Sequence, residues 1–318
     1  MEFAFNIGPS SELTFSRSGR YLATMNGVSV VVWEVARGKV VRHIQPLSNP
    51  ANIAFSLDEQ RIAVKNTSGQ FAVATIERGE PMTLVRSRSE HDAYRLICID
   101  EEFFLDANRD GMMSLVDMNG VQARTLPAFE GRMITDLDFD PETRRLAIVE
   151  LLHRHHPDGA GGRVSYLHLW QWPFSENQPV RVPHPFTSAL SVCFTRGGKL
   201  IAVLSNNNRQ LTFLDAATLE VVHEVEPRHR KHRNLIAAYH HRDALLNYGG
   251  EQELTEITWP DGEQRGFTVQ PMSVFVALSL SPDDRYLAGG AWRNGRVYLT
   301  GQQVEMHAQS EEELVGVY

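Results

Sequence analysis

The sequence repeats itself at intervals of about 40 residues, and this repeat constrains the fold more than any other feature. In each copy an apolar residue is followed by a polar turn and then by a second apolar run. The apolar anchors of the seven copies are Phe15, Phe55, Ile97, Phe139, Phe194, Tyr239 and Leu280, spaced by 40, 42, 42, 55, 45 and 41 residues. The last copy keeps the Arg-Tyr-Leu-Ala string of the first, at 285–288 and 20–23. Such a chain consists of similar structural units placed side by side.

Each unit reads as four short strands, here named a to d, separated by turns. In the first unit these are residues 13–16, 21–24, 28–35 and 39–44, with Asn26-Gly27 as the turn between strands b and c. Runs of β-branched and aromatic residues bounded by Gly and Asn are typical of hairpins. Repeats of about 40–45 residues with four strands each are typical of propeller blades. The sequence therefore predicts an all-β fold, a seven-bladed β-propeller with four-stranded antiparallel blades, as a single domain over residues 1–318.

Several motifs resemble the WD40-repeat and related seven-bladed propeller families, over roughly residues 10–308. The matching stretches are residues 15–23, 280–290 and Val32-Trp33-Glu34-Val35, in which Trp33-Glu34 stands where the family has Trp-Asp. The family's Gly-His pair before strand a is missing. The His–Ser/Thr–Trp–Asp hydrogen-bond network of such blades is therefore not expected, and apolar packing between blades is expected to hold the ring together. Either residues 2–6 or residues 303–307 could supply the outer strand that closes the ring, and the first is preferred.

Composition excludes several classes of protein. No apolar run reaches the roughly 18 residues that a membrane helix needs, and the first residues have no signal-peptide pattern. Cys98 and Cys193 fall on predicted innermost strands, which favours buried, unreactive thiols in a reducing compartment. The net charge of −8 argues against binding nucleic acid over the whole surface. We therefore expect a cytoplasmic protein.

Family resemblance also implies which loops share a face of the propeller. The d–a and b–c loops lie on one face, and the a–b and c–d turns lie on the other. Acidic residues concentrate in the a–b turns. The d–a and b–c loops instead carry Arg86, Arg88, Arg109, Arg132, Arg154, Arg209, Arg228, Arg230, Lys231, Arg233 and Arg293. We call this side the basic face, and such asymmetry steers acidic partners and raises their association rate.

Three groups of residues on the basic face are candidates for partner binding. The densest is the run 228–233, with Arg228, Arg230, Lys231 and Arg233, although charge runs are commonly solvated connectors. The second is an inserted loop at 153–162 with His155 and His156, whose spacing matches no known metal site. The third is Trp292 beside Arg293, a composition typical of interface hot spots. Trp292 could equally pack against the neighbouring blade. Arg86, Arg88 and Arg209 complete the set.

Nothing in the sequence predicts catalysis. No nucleophile-elbow motif occurs, and the innermost strands read as mostly apolar or small, whereas propeller hydrolases place metal ligands around the central channel. We predict no catalytic residue, no metal and no cofactor. The predicted function is a non-catalytic protein-interaction module, a monomer that binds a protein with an acidic surface as an adaptor or scaffold, or as a dedicated inhibitor of the immunity type. The alternatives are a metal-dependent hydrolase or lyase at the channel mouth, and a binder of phosphate or nucleic-acid backbone.

Overall fold

A computed structural model describes residues 1–45, 47–77, 83–86, 93–108, 110–126, 132–152, 164–174, 179–195, 197–207, 209–228, 235–250, 253–269 and 274–301. Its strands form seven antiparallel sheets, each built from consecutive hairpins. The fold class predicted from the repeat is confirmed: this is an all-β, seven-bladed propeller with four-stranded blades. Within the described ranges, the helical residues are a single 3-10 turn, Val35–Arg37.

The strands follow chain order within the blades. The N-terminal strand is β1 (Glu2–Gly8). Blade one contains β2 (Glu12–Phe15), β3 (Tyr21–Met25), β4 (Val30–Glu34) and β5 (Lys39–Ile44). Blade two contains β6 (Pro50–Phe55), β7 (Arg61–Asn66), β8 (Gln70–Thr75) and β9 (Thr83–Arg86). Blade three contains β10 (Ala93–Cys98), β11 (Phe103–Asn108), β12 (Met113–Asp117) and β13 (Gln122–Leu126).

Blade four contains β14 (Arg132–Asp140), β15 (Arg145–Leu152) and β16 (Val164–Gln171), and its outer position is shared by two short strands, β17 (Val180–Arg181) and β18 (Phe186–Thr187). Blade five contains β19 (Ser191–Thr195), β20 (Leu200–Ser205), β21 (Gln210–Asp215) and β22 (Val221–Val225). Blade six contains β23 (Leu235–Ala238), β24 (Ala244–Gly250), β25 (Glu253–Thr258) and β26 (Gln264–Thr268). Blade seven contains β27 (Ala277–Leu280), β28 (Tyr286–Gly290) and β29 (Gly295–Leu299).

The N-terminal strand closes the ring. β1 pairs antiparallel with β29, from Glu2 opposite Leu299 to Gly8 opposite Gly295, and so becomes the outer strand of blade seven. The preferred choice between the two terminal segments is therefore confirmed. The other segment, 303–307, lies outside the described residues. Each innermost strand contacts the innermost strands of both neighbouring blades, so the seven together surround a central channel.

The hydrophobic core is divided among the seams between blades. Seven buried clusters are formed, one in each seam between adjacent blades. Both faces of a blade take part: Val64 packs toward blade one, whereas its neighbour Ala63 packs toward blade three. Alternate side chains of a strand point to opposite faces, so each strand serves two seams. The predicted apolar packing between blades is confirmed.

One fragment of the hydrogen-bond network that the sequence was not expected to keep is present in blade one. The indole N–H of Trp33 donates to the hydroxyl of Thr24 at 3.0 Å. The Asn26-Gly27 turn is also confirmed, although its geometry depends on Asn26, whose side-chain oxygen accepts from the N–H groups of Val28 and Ser29. No helix in the described part of the chain has the length and apolarity needed to cross a membrane.

We predict that Ile7→Ala lowers the free energy of unfolding by about 2–4 kcal/mol. Ile7 is 3% exposed and packs in the cluster that joins blades seven and one, so its truncation weakens the contact that closes the ring. Chemical denaturation measures the change. Asn6→Ala, on the same strand at an exposed position, is the matched control and should change stability by less than about 0.5 kcal/mol. If Ile7→Ala changed the free energy of unfolding as little as Asn6→Ala, the burial of Ile7 would not contribute to ring closure.

Candidate functional site

The predicted partner-binding residues are only partly covered by the described structure. Arg88, Arg230, Lys231, Arg233, His155 and His156 lie outside it, as do Arg109 and Arg154. Arg86 is the last residue of β9. Arg209, Arg228, Trp292 and Arg293 are described, and the antiparallel strand order places all four in b–c or d–a loops, on the basic face. They form two separate groups, one at blade five and one at blade seven, with blade six between them.

The group at blade five is less purely basic than the sequence predicted. The turn before Arg209 contains Asn206 and Asn207 in the left-handed region, with φ of 52° and 53°. Arg209 lines a groove of about 440 Å³ together with the carboxylates Glu224 and Glu226. Arg228 is exposed, and its backbone N–H donates to the side chain of Gln264 at 2.9 Å. The positive charge in this region is thus partly balanced by its own acidic neighbours.

Arg132, also assigned to the basic face from sequence, has a structural role instead. Its guanidinium pairs with Glu150, which is fully buried and also lies 3.2 Å from the imidazole of His168. Removing one partner from a buried charge pair leaves an uncompensated charge, so this arginine is needed inside blade four. Its positive charge is therefore paired with Glu150 and adds little to the positive charge of the basic face.

The group at blade seven includes an exposed aromatic side chain. Trp292 is 69% exposed, which decides between the two interpretations of this residue: it does not pack against a neighbouring blade. Val274, in the loop that enters blade seven, is 52% exposed, and Val28, in the b–c turn of blade one, is 67% exposed. We call Val28, Val274, Trp292 and Arg293 the apolar sector. Sequence analysis missed both valines, although an apolar residue inside a turn was the available signal.

Backbone hydrogen bonds hold the loops of the apolar sector side by side. The N–H of Val276 donates to Gly290 at 2.7 Å, which joins the entry loop of blade seven to the end of β28. The N–H of Ser10 donates to the carbonyl of Ala291 at 2.8 Å. The next residue, Ser11, donates to Met25 at 2.7 Å, and this bond continues the series into blade one. The loops around Trp292 are therefore fixed to the blade framework.

Exposed apolar side chains are distributed unevenly over the described loops. The basic face carries Val28, Met112, Val274 and Trp292, whereas the c–d turn residue Val121 is the large exposed one in described loops of the other face. The remaining large exposed apolar side chains, such as Phe3 and Val222, lie on outer strands. Exposed apolar residues grouped on one face are typical of an interaction surface.

The central channel is a cavity of about 1220 Å³, and its wall is more polar than the sequence predicted. Glu12, Arg95, Asp136, Asp138 and Ser191 all line it. The expectation of a mostly apolar or small wall was wrong at these positions, because strand alternation does not show which inner-strand side chains reach the channel. In blades three and four, a register irregularity immediately precedes Arg95 and Asp136. Such bulges redirect side chains and are common beside functional sites.

A hydrogen-bond network joins blades three, four and five across the channel wall. Arg95 donates to one oxygen of Asp136 through Nε at 2.9 Å and through Nη2 at 2.6 Å. The other oxygen of Asp136 accepts from the Ser191 hydroxyl at 2.8 Å and from the N–H of Val192 at 3.0 Å. Asp136 is only 4% exposed, and these hydrogen bonds compensate its charge in that buried position.

Two other carboxyl groups of the channel wall titrate far from their ordinary range. Burial raises the pKa of Glu12 to about 7, against the opposing effects of the Arg95 charge and of a hydrogen bond from Asn52. Burial likewise raises the pKa of Asp138 to about 7, although the N–H of Phe194 donates to it at 2.7 Å. Both groups therefore change their protonation state near neutral pH, and groups with such shifted pKa values are common in functional sites.

The two cysteines occupy innermost strands, as predicted. Cys98 ends β10 and Cys193 lies in β19, and both are half-buried free thiols. Burial raises the pKa of Cys98 to about 12 and raises that of Cys193 well above its usual value. Reactive cysteines have lowered pKa values, and neither thiol shows this property. Across the described residues, no group of three or more His, Cys, Asp or Glu side chains is placed to hold a metal ion.

Comparison with known proteins identifies the fold. No protein-family model matches the sequence, and no curated protein matches it either. Among solved structures, the β-propeller domain of Cps50 (Swd1) from Myceliophteria thermophila is similar with a TM-score of 0.74 and 17% identity, over 94% of this chain and 99% of that one. Hydrazine synthase from Kuenenia stuttgartiensis is similar with a TM-score of 0.73 and 14% identity, over 93% of this chain and 96% of that one. The likeness establishes a seven-bladed propeller, and membership of the WD40 family stays a prediction.

We predict that Glu12→Gln and Asp138→Asn each raise the free energy of unfolding at pH 8, by on the order of 1–3 kcal/mol, and by less at pH 5. Each carboxyl binds its proton more tightly in the folded state, so it favours folding at low pH. This contribution is lost as the pH rises from the unfolded value, 4.5 for Glu12, to about 7. The neutral amides avoid the cost of a buried charge. Denaturation series at the two pH values measure the difference, and the exposed Glu263→Gln is the control. If each variant differed from the unaltered protein by the same free energy of unfolding at both pH values, the raised pKa of that carboxyl group would be contradicted.

Proposed function

We propose that this propeller is a non-catalytic protein-interaction module that binds a partner through its basic face. The fold is consistent with such a role, because a propeller presents rigid loops on a closed framework. The observation that carries the proposal is the apolar sector, in which a 69% exposed tryptophan stands beside an arginine. Exposing so large an apolar side chain is unfavourable in water unless a partner covers it.

Trp292 is proposed as the anchor of the interface. Tryptophan and arginine are enriched among the few interface residues that carry most of the binding free energy. A buried aromatic side chain removes about 150–250 Å² of surface from water, and Val28 and Val274 extend the apolar area around it. The backbone hydrogen bonds that fix these loops reduce the entropy lost on binding.

Arginine residues of the basic face are proposed to select a partner with an acidic surface. Arg293 adjoins the anchor, whereas Arg209 and Arg228 lie further away, at blade five. Charges at the edge of an interface mainly change the association rate, and charges beside a buried anchor change the dissociation rate. Residues 230–233 and Arg88, which the sequence assigns to the same face, add positive charge in the proposal. The module acts as a cytoplasmic monomer, as an adaptor or as a dedicated inhibitor of its partner.

We predict that Trp292→Ala combined with Arg293→Glu weakens partner binding at least about 30-fold, chiefly through faster dissociation, since hot-spot truncations cost about 2 kcal/mol or more. The partner is first captured with the unaltered protein from the native cell and identified by mass spectrometry. Surface plasmon resonance with the purified partner then gives both rates. Val121→Ala combined with Lys39→Glu makes the same kinds of change on the c–d side and is the control. Equal loss in both double variants would contradict the assignment of the face.

Charge reversal at blade five gives a second and different result. Replacing Arg228, Arg230, Lys231 and Arg233 by Glu is expected to slow association about tenfold or more at low salt, with a much smaller change in the dissociation rate. The effect should fade as ionic strength rises, since exposed charges are screened over about 8 Å at physiological salt. Unchanged capture of the partner by this quadruple variant would remove the basic run from the interface. Binding of phosphate or nucleic acid instead of protein would replace the proposed function.

A further inference from the structure

At one level of the central channel, one side of the wall is polar and another side is apolar. Three residues before the anchors of blades one, four and five stand Glu12, Asp136 and Ser191, whereas blades six and seven place Ile236 and Ala277 there. Blades seven and one are neighbours, so Ala277 adjoins the blade that carries Glu12. The cavity of about 1220 Å³ exceeds the usual 300–1,000 Å³ of a small-molecule site. A cavity with a few convergent polar groups and an apolar wall is the usual form of a ligand site.

The electrostatic character of the channel is negative. Its described wall includes seven carboxyl side chains and three cationic ones, Arg17, Arg95 and Lys199. Arg95 donates two hydrogen bonds to Asp136, so this arginine already pairs with another carboxylate. Glu12 is held by uncharged donors, the amide of Asn52 at 3.4 Å and the backbone N–H of Ile53. Arg95 also attracts Glu12, and a cation that enters here and hydrogen-bonds to Glu12 adds a direct attraction.

Part of this arrangement serves the fold. Asp136 and Asp138 each accept an N–H from the innermost strand of blade five, and Glu12 accepts the N–H of Ile53 from blade two in the same manner. These contacts need only an oxygen acceptor, which an amide supplies as well as a carboxylate. The negative charge of Glu12 is therefore not required for this link, and the raised pKa of this half-buried group indicates that the charge opposes folding at neutral pH. A destabilising charge beside a cavity is typical of a functional group.

We propose that the central channel binds a primary ammonium group carried on an apolar body, with the ammonium hydrogen-bonded to Glu12 and the apolar part against Ile236 and Ala277. The ammonium donates a charged hydrogen bond directly to Glu12, and the apolar body covers the wall formed by blades six and seven. Asn52, 3% exposed, positions the carboxylate and does not touch the ligand. The same chemistry is offered by a free aryl-alkyl amine and by a lysine side chain of another protein.

Titration calorimetry with three matched probes tests the proposal: phenethylamine, 2-phenylethanol and phenylacetate. At pH 8 we expect phenethylamine to bind, and to bind at least tenfold more tightly than the alcohol or the acid. Affinity should rise about tenfold from pH 6 to pH 8, because Glu12 must lose its proton first while the amine stays charged. The charged groups that act on Glu12 are Arg95, which lowers its pKa, and Asp136, which raises it. Heats measured in two buffers of different ionisation enthalpy should show protons released on binding.

Variants separate recognition from folding. Glu12→Gln keeps an oxygen acceptor and should remain folded, yet it should weaken phenethylamine at least tenfold and remove the pH dependence. Glu263→Gln makes the same change at an exposed site outside the channel and should have no effect. N-acetyl-lysine amide is a fourth probe. Tighter binding of phenethylamine indicates a free amine as the ligand, and tighter binding of N-acetyl-lysine amide indicates a protein lysine. The proposal is overturned if no amine binds at millimolar concentration, if the alcohol binds as well as the amine, or if Glu12→Gln leaves affinity unchanged.

Discussion

The pairing of β1 with β29 is the contact on which the remainder of the structure depends. Every blade buries apolar side chains on both of its faces, so each face needs a neighbour, and a row of seven blades would leave two faces in water. Closing the row into a ring removes both ends at once. Ile7 and Val297, from the two ends of the chain, share one buried cluster with residues of blade one. Chain ends that are distant in sequence thus complete the last seam.

Polar contacts across the seams accompany this apolar packing. Lys65 of blade two and Asp106 of blade three form a buried ion pair at 2.7 Å. Between blades six and seven, the N–H groups of His240 and His241 donate to the two oxygens of the fully buried Asp284, at 2.8 and 2.9 Å. These contacts differ from seam to seam, whereas the apolar clusters recur in all seven. Specific polar pairs of this kind fix the register of neighbours, and hydrophobic burial supplies most of the cohesion.

The two candidate sites differ in how the fold makes them. The apolar sector belongs to loops, where side chains such as Trp292 are exposed and a large partner has access. The channel site belongs to innermost strands, where Glu12 and Asp138 are surrounded by protein and small changes in charge are costly. The first proposal therefore has a macromolecule as its ligand, and the second has a small group. The two proposals use different parts of the same ring, its loops and its axis.

Sequence alone determined the repeat, the number of blades and strand bounds such as Lys39–Ile44, because turn residues and strand alternation are local properties. It also placed Trp292 in a b–c turn. Only the tertiary structure decided that β1 closes the ring, that Trp292 is exposed, that Arg132 is committed to Glu150, and that Glu12 faces the channel. These features depend on which residues meet across turns and seams. The contact of Glu12 with Asn52, for example, joins residues 40 positions apart, and no local pattern records it.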